Sequence, residues 1–271
     1  GLAASSVRAA LMLTMYLTGG VLDDTMRVND GELAFYNSGL RVELPDEEYV
    51  GKQLEWIEKL FLNHYSKELL KKKMVKKVIL AKNVTYCYRL GSNDLAERER
   101  DYFSNIANTL IFSHGDASVE DLTNEDLLEM KNELHLWMLT EKLVDDYPMA
   151  ELEDFLSVTD YSKTLSADYY EEWMAEGWLG RLANSEEAAK SEDIRTYVEM
   201  IITTPREMLE IDVNSISYPD PLFWVIRDYD YAGFLHPSMD VAGNIKKKYD
   251  LIVAAFKDWG VDLPVIGELY Y

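Results

Sequence analysis

The sequence predicts an α+β fold with a small sheet in the N-terminal half and a mostly helical C-terminal half. Strand-like segments occur only in the first half of the chain, whereas apolar residues recur at helical spacing from Val119 onward. An apolar fraction of 48% in 271 residues is ample for a hydrophobic core. We therefore expect a single α+β domain over residues 1–271, with a subdomain boundary near residues 115–120.

The predicted strands lie between residues 31 and 88. The segment from Gly31 to Pro45 carries apolar residues on both sides of an Asn-Ser-Gly turn signal and is predicted to be extended. A helix is expected after Pro45, because acidic residues suit a first helical turn and apolar residues keep helical spacing up to Tyr65. Val78-Ile79-Leu80-Ala81 is predicted to be a buried strand, and the next strand ends at Tyr88.

The second half is predicted as a series of helices separated by proline or glycine. Ser191-Glu192-Asp193 is interpreted as the N-terminal cap of one of them, and Gly177 to Gly180 as a break between helices. The predicted helix starts are Leu122–Asp126, Met149, Ser166–Asp168, Ser191 and Gly243.

The N-terminal segment has two interpretations. Arg8 is followed by roughly ten mostly apolar residues and then Gly19-Gly20, which is the shape of a secretory signal. An Ala-x-Ala cleavage site is missing and the stretch is too short to span a bilayer. We favour a buried helix or strand of the mature protein. No other segment approaches the length of a transmembrane span.

The charge balance restricts the classes of partner. The chain has 49 acidic side chains against 27 lysines and arginines, a net charge of −22. Between Asp116 and Glu210 the net charge is −18, so the helical half holds most of the excess. This balance argues against nucleic acid, whose phosphates need clustered cations, and against docking on an anionic membrane.

One helical segment has the frame of a zinc-peptidase motif without its ligands. In HExxH, two histidines one turn apart bind zinc and the glutamate activates a water molecule. Here the frame reads Asn132-Glu133-Leu134-His135-Leu136, with Glu133 at the general-base position and Asn132 and Leu136 at the ligand positions. His135 is about 100° around the helix from the second ligand position and cannot replace it.

Several features in order resemble the zinc-binding metallopeptidase lipoproteins associated with substrate import in Bacteroidota. They span roughly residues 45–265, and the order of these features carries the likeness more than any single motif. The resemblance implies a zincin-like (gluzincin-like) scaffold, with Glu192 or Asp193 at the position of the acidic third zinc ligand. The features are the helix from Leu54 to Tyr65, the strand Lys77–Leu80, the helix with Glu133, Trp173–Gly180, Ser191–Ile194 and the closing Trp259–Leu263.

The missing histidines imply a degenerate member of that family. Asn132 is a poor zinc ligand and Leu136 is none, whereas a working site needs three protein ligands. Glu133 is then a vestigial general base, and no cofactor is expected. The resemblance also implies a secreted or cell-envelope protein, either an outer-membrane lipoprotein or a periplasmic one.

Aromatic residues form a second candidate site. Exposed rings beside aspartates hold sugar rings or extended peptides through flat apolar faces and carboxylate hydrogen bonds. Aromatic residues at this density usually belong to cores and loop anchors, so packing is the expected role of most of these rings and ligand contact the alternative. The candidate binding residues are Trp173, Trp178, Trp224, Tyr229 and Tyr231.

Three functions follow from these observations. The leading one is a non-catalytic cell-envelope binding protein on a metallopeptidase-like scaffold, serving peptide or glycan uptake. The first alternative is an active metal-dependent hydrolase with a rearranged site, in which zinc would be held around Glu133, His135 and Glu192 or Asp193. The second alternative is a structural subunit of an outer-membrane nutrient-uptake complex.

Overall fold

The fold is α+β, with strands in the first half and helices through the rest of the described chain. The computed structural model describes residues 26–29, 32–35, 39–73, 77–90, 94–106, 109–143, 149–163, 170–180 and 185–269. The chain divides into two compact units. Unit 1 comprises Gly1–Leu60 and Met74–Asp126, and unit 2 comprises Phe61–Lys73 and Leu127–Tyr271.

The strands of unit 1 form three small sheets. β1 and β2 pair in an antiparallel hairpin, and β5 lies between β3 and β6 with antiparallel pairing on both sides. In the third sheet β8 pairs in parallel with β4 and antiparallel with β7. The strands are β1 (Met26–Asn29), β2 (Glu32–Phe35), β3 (Gly39–Val42), β4 (Lys77–Leu80), β5 (Val84–Leu90), β6 (Asp94–Glu99), β7 (Tyr102–Ile106) and β8 (Thr109–Phe112).

A buried glutamine ties helix α1 (Val50–Leu60) to the ends of the parallel strand pair. Gln53 Nε2 donates to the carbonyl oxygens of Ala81 (3.0 Å), Phe112 (3.2 Å) and Ser113 (2.6 Å). Ala81 and Phe112 lie at or just beyond the carboxyl ends of β4 and β8, and their carbonyl oxygens also accept from the backbone N–H groups of Gly115 and Ala81, both at 2.8 Å. The glutamine therefore adds a second donor to these two carbonyls and supplies one to Ser113, which ties α1 to the strand ends.

Unit 2 is built almost entirely of helices. α3 continues directly into a π-helical segment, Trp137–Leu143, and short 3₁₀ turns cover Leu62–His64 and Met149–Leu152. The boundary between the units falls inside α3, between Asp126 and Leu127. The helices are α2 (Lys67–Lys73), α3 (Asn124–Leu136), α4 (Glu153–Leu156), α5 (Tyr170–Ala175), α6 (Glu186–Thr203), α7 (Arg206–Leu209), α8 (Pro221–Ile226), α9 (Asn244–Asp258) and α10 (Leu263–Gly267).

A buried lysine holds two helix ends together in unit 2. Lys131 Nζ donates to the carbonyl oxygens of Ile202 at 2.8 Å and Ile266 at 3.2 Å, near the ends of α6 and α10. These two helices also approach closely, since a Cβ on Gly267 would lie 2.1 Å from the carbonyl oxygen of Ile201. Burial lowers the pKa of Lys131 to about 8.

Most of the predicted elements that fall on described residues are present. The buried strand before Ala81, the strand reaching Tyr88 and the helices beginning near Leu122, Met149 and Gly243 are confirmed. β6, β7 and β8 had not been predicted: Asp94–Glu99 is mostly charged, whereas the apolar signal of Thr109–Phe112 was present and was missed. The N-terminal segment at residues 8–20 and the helix start at Ser166–Asp168 lie outside the described residues.

The predicted helix cap at Ser191-Glu192-Asp193 is wrong. These residues lie inside α6, whose N-terminal cap is Ser185, with its Oγ accepting a hydrogen bond from the backbone N–H of Ala188 at 3.2 Å. Both segments place a serine before acidic residues, so the sequence pattern alone did not separate them.

No helix in the described part of the chain is long and apolar enough to cross a membrane.

Candidate functional site

The zinc-peptidase frame lies on α3, at the positions that its spacing predicted. Glu133 is exposed, Leu136 is half-buried and Leu134 is fully buried. The Oδ1 atom of Asn132 is buried, and no donor among the described residues reaches it. Neither Asn132 nor Leu136 supplies a ligand that zinc prefers.

His135 faces the core rather than solvent. Its side chain is fully buried, and its Nδ1 lies 2.6 Å from the hydroxyl oxygen of Tyr65. The rings of Phe61 and His64 each lie 5.4 Å from the imidazole, centroid to centroid. Burial raises the pKa of the Tyr65 hydroxyl well above its ordinary value. Glu133 and His135, two residues apart, project about 200° apart on the helix.

Asp193 is a buried structural carboxylate. Its Oδ1 accepts hydrogen bonds from the backbone N–H groups of Leu179 (2.8 Å) and Gly180 (3.1 Å). Its Oδ2 accepts from the Tyr161 hydroxyl at 2.6 Å and forms an ion pair with Lys248. With both oxygens engaged and a lysine ammonium beside it, Asp193 does not fit an open zinc ligand. Glu192, one residue earlier, is half-buried.

The partner of Asp193 lies in an aromatic cage. Lys248 is fully buried, and its Nζ donates to Thr159 Oγ1 at 2.8 Å and to the Tyr161 hydroxyl at 3.0 Å. The rings of Phe155, Tyr197 and Tyr161 surround the ammonium at 4.3, 5.0 and 5.3 Å. Burial lowers the pKa of Lys248, and its carboxylate partner opposes that shift. Burial and the same carboxylate raise the pKa values of Tyr161 and Tyr197.

The residues at the expected zinc positions therefore do not fit a zinc site. Asn132 and Leu136 offer no imidazole, His135 already contacts Tyr65, and Asp193 is paired with a cation. Across the described ranges, no group of three or more histidine, cysteine, aspartate or glutamate side chains has an arrangement that could hold a metal ion.

Two of the predicted binding residues are core residues. Trp173 and Trp178 are only 5% and 4% exposed, and their rings stack with centroids 5.2 Å apart and planes 18° apart. They share a hydrophobic cluster with Tyr161 and Ala189. The structure thus gives these two rings a packing role, and their ligand contact stays a prediction.

Trp224 belongs to an exposed group that we call the aromatic surface, made of Tyr218, Phe223, Trp224 and Arg227. Tyr218 is 69% exposed and Trp224 is 53% exposed. Their ring centroids lie 5.9 Å apart with the planes at 83°, and Phe223 packs edge to face against both rings. The Arg227 guanidinium carbon lies 5.6 Å from the Phe223 centroid and 5.9 Å from that of Trp224.

The short helix α8 holds the aromatic surface in place. Asp220 caps it through a 2.9 Å hydrogen bond from the backbone N–H of Leu222, and Pro221 is its first residue. Ile226 at the end of the helix is buried and anchors it. The peptide bond before Pro219 is cis. The rings are therefore presented by ordered backbone rather than by a free loop.

Polar groups follow the rings along the chain. Arg227, Asp228 and Asp230 are exposed, and no hydrogen-bond partner for their side chains is found within the described ranges. The two tyrosines predicted as binding residues, Tyr229 and Tyr231, are half-buried in the same segment. Sequence reasoning did not single out Arg227, although it follows Phe223 at the i+4 spacing that places side chains together on a helix.

A separate cleft of about 530 Å³ opens beside α4 in unit 2. Its lining includes the acidic side chains Glu153, Asp160 and Glu186 and one base, Lys190. Lys190 pairs with Glu186 at 2.5 Å, and its Nζ lies 5.8 Å from the centre of the Tyr161 ring. The one base of this lining is therefore already paired with one of its three acids.

Comparison of the chain with protein-family models, with curated proteins and with solved structures finds no match. The aromatic surface and the residues on α3 are thus the features from which a function can be inferred.

Proposed function

We propose that this chain is a non-catalytic binding protein of the cell envelope, built on a zincin-like (gluzincin-like) scaffold and serving the uptake of peptides or glycans. The aromatic surface is the observation that carries this proposal. The resemblance to metallopeptidase lipoproteins supports the envelope location and the scaffold.

The geometry around α3 supports a protein without zinc-dependent hydrolysis. Glu133 would need a metal-bound water to activate, and the positions beside it hold an asparagine and a leucine. His135 and Asp193, which a rearranged site would use, already make short contacts with Tyr65 and Lys248 in the interior. Recruiting either one would leave a buried polar partner unsatisfied, which is costly.

Exposure of the aromatic surface supports ligand binding. Large contiguous exposed apolar patches are uncommon on soluble proteins and mark interaction sites. Tryptophan, tyrosine and arginine are also the residues that most often dominate binding free energy. Phe223 and Trp224 lie on α8 and Tyr218 in the turn before it, so the backbone that carries the rings is ordered before a ligand arrives, which lowers the entropic cost of binding.

The test is a binding screen with a matched pair of variants. Immobilised oligosaccharides and extended peptides are presented to the wild-type chain, to Trp224→Ala and to Val241→Ser. Val241 is a strongly exposed apolar residue in the turn before α9, so its replacement controls for loss of any surface hydrophobe. We expect at least one probe to bind the wild type and Val241→Ser but not Trp224→Ala. Equal binding by all three chains, or by none, would contradict the proposal.

The same surface also favours a second candidate, a structural subunit of an outer-membrane uptake complex. Exposed Tyr218 and Trp224 have the composition of a protein–protein hot spot. In that case Trp224→Ala would reduce co-purification of a partner from the native envelope while binding to all isolated peptides and glycans stayed absent.

A further inference from the structure

We infer that the ligand of the aromatic surface is a neutral oligosaccharide, one pyranose ring of which lies in the corner between Tyr218 and Trp224. This inference rests on the proposed function and narrows it to one chemical class of ligand.

The two exposed rings form a corner rather than a flat plate. With their planes at 83° and centroids 5.9 Å apart, one ring offers its face while the other closes the side. A pyranose has an apolar C–H face that stacks on an aromatic ring and a polar rim of hydroxyls. Phe223 is half-buried and contacts both rings edge to face, so the two exposed rings pack on a less exposed one.

The polar groups at and after the corner match sugar hydroxyls. Each hydroxyl both donates and accepts hydrogen bonds, so a sugar requires donors and acceptors together. Arg227 supplies guanidinium donors next to the rings, and Asp228 and Asp230, which follow it in the chain, carry exposed carboxylates that accept. Within the described ranges none of the three side chains has a hydrogen-bond partner, so all are available to a ligand.

The local backbone disfavours two common modes of peptide binding. Strand addition needs an exposed strand edge, and helical peptides need an apolar groove. The aromatic surface is carried by α8 and the turns on either side of it, so it offers neither. Proline-rich peptides do dock on aromatic rings, so the extended peptides used as comparators include a polyproline II sequence.

The surrounding charge disfavours an anionic sugar. Asp220, Asp228 and Asp230 lie close in the chain to the single cation of the surface, Arg227. The chain as a whole carries a net charge of −22. A uronate or sulfated sugar would approach against this field, whereas a neutral sugar is indifferent to it.

The experiment is isothermal titration calorimetry with defined probes on the full chain. The neutral probes are cellohexaose, maltohexaose, mannohexaose and xylohexaose; the comparators are hexagalacturonate and a set of extended peptides. We expect at least one neutral probe to bind, with an affinity that salt leaves unchanged. Trp224→Ala and Tyr218→Ala should each weaken it about tenfold or more, whereas Val241→Ser should not. Circular dichroism of each variant verifies that it is folded.

Other outcomes separate this inference from the proposed function. If only hexagalacturonate or only peptides bind, and Trp224→Ala abolishes that binding, the neutral-sugar inference fails while the binding function stands. If a neutral probe binds equally well to Trp224→Ala, or if no probe binds, the inference and the role of the aromatic surface both fail.

Discussion

At the scale of single residues, the ion pair between Asp193 and Lys248 gives the acidic segment of α6 a structural role. The pair is fully buried, and it links α6 and α9 to the turn at Leu179-Gly180 and to Tyr161. A buried ion pair contributes little net stability, but removing one partner leaves an uncompensated charge. The carboxylate to which the family resemblance assigned a metal-ligand position therefore has a structural role.

Replacing Asp193 should destabilise the protein strongly. We expect Asp193→Ala to lower the free energy of unfolding by about 3–5 kcal/mol, because Lys248 stays buried without its counter-ion. Urea denaturation followed by circular dichroism measures the change. The control is Asp250→Ala, which removes an exposed i,i+4 partner of Lys246 and should have little effect. Similar losses in both variants would refute the structural role of the pair.

Lys131 should make stability depend on pH. Its folded pKa of about 8 lies below the value of about 10.4 for an unfolded lysine. Between these values the unfolded chain holds a proton that the folded chain has released, so stability rises with pH. Across that pH window, the free energy of unfolding of the wild type should rise by up to about 3 kcal/mol relative to that of Lys131→Met.

The difference between the wild type and Lys131→Met isolates the contribution of Lys131 from that of the buried tyrosines. Because their pKa values are raised, the tyrosines make the free energy of unfolding fall as the pH rises above about 10. The measurement is a series of urea denaturation curves from pH 7 to pH 10 on both chains. A constant difference between them would show that Lys131 keeps an ordinary pKa.

At the scale of secondary-structure elements, α6 shows where sequence patterns fail. Its cap is Ser185 rather than Ser191, because a serine followed by acidic residues occurs at both places. Replacing a capping serine by alanine costs about 1 kcal/mol, whereas alanine is favourable inside a helix.

The two serines therefore provide a matched test. We expect Ser185→Ala to lower the free energy of unfolding by about 1 kcal/mol and Ser191→Ala to leave it unchanged or slightly raised. Thermal or urea denaturation of both variants checks this order. The reverse order would mean that α6 begins at the position that the sequence pattern suggested.

Elements with strong apolar periodicity were predictable, and contacts between distant segments were not. The buried strand at Ile79 and the helices α3 and α9 follow from their apolar spacing, whereas the charged strand Asp94–Glu99 gave no such signal. For Trp224 the sequence left two roles open, packing in the core and contact with a ligand, and the structure places its ring at the surface. The pairing of Asp193 with Lys248 joins residues 55 positions apart, and nothing local specifies it.

At the scale of the whole molecule, the net charge of −22 now limits the ligand as well as the class of partner. It opposes nucleic acid and anionic membranes, and around α8 it also opposes anionic sugars. The excess of acids between Asp116 and Glu210 makes carboxylates common there. A carboxylate near Glu133 is therefore weak support for a metal site, and the asparagine and leucine at positions 132 and 136 weigh more heavily against one.

The proposed function requires that the chain bind its ligand without zinc-dependent hydrolysis. The most direct test is metal analysis of the purified chain combined with calorimetric titration by Zn²⁺, on the wild type and on Glu133→Gln. We predict no stoichiometric zinc and no difference between the two chains. One tightly bound zinc ion per chain, together with a peptidase or glycosidase activity that Glu133→Gln abolishes, would contradict the claim.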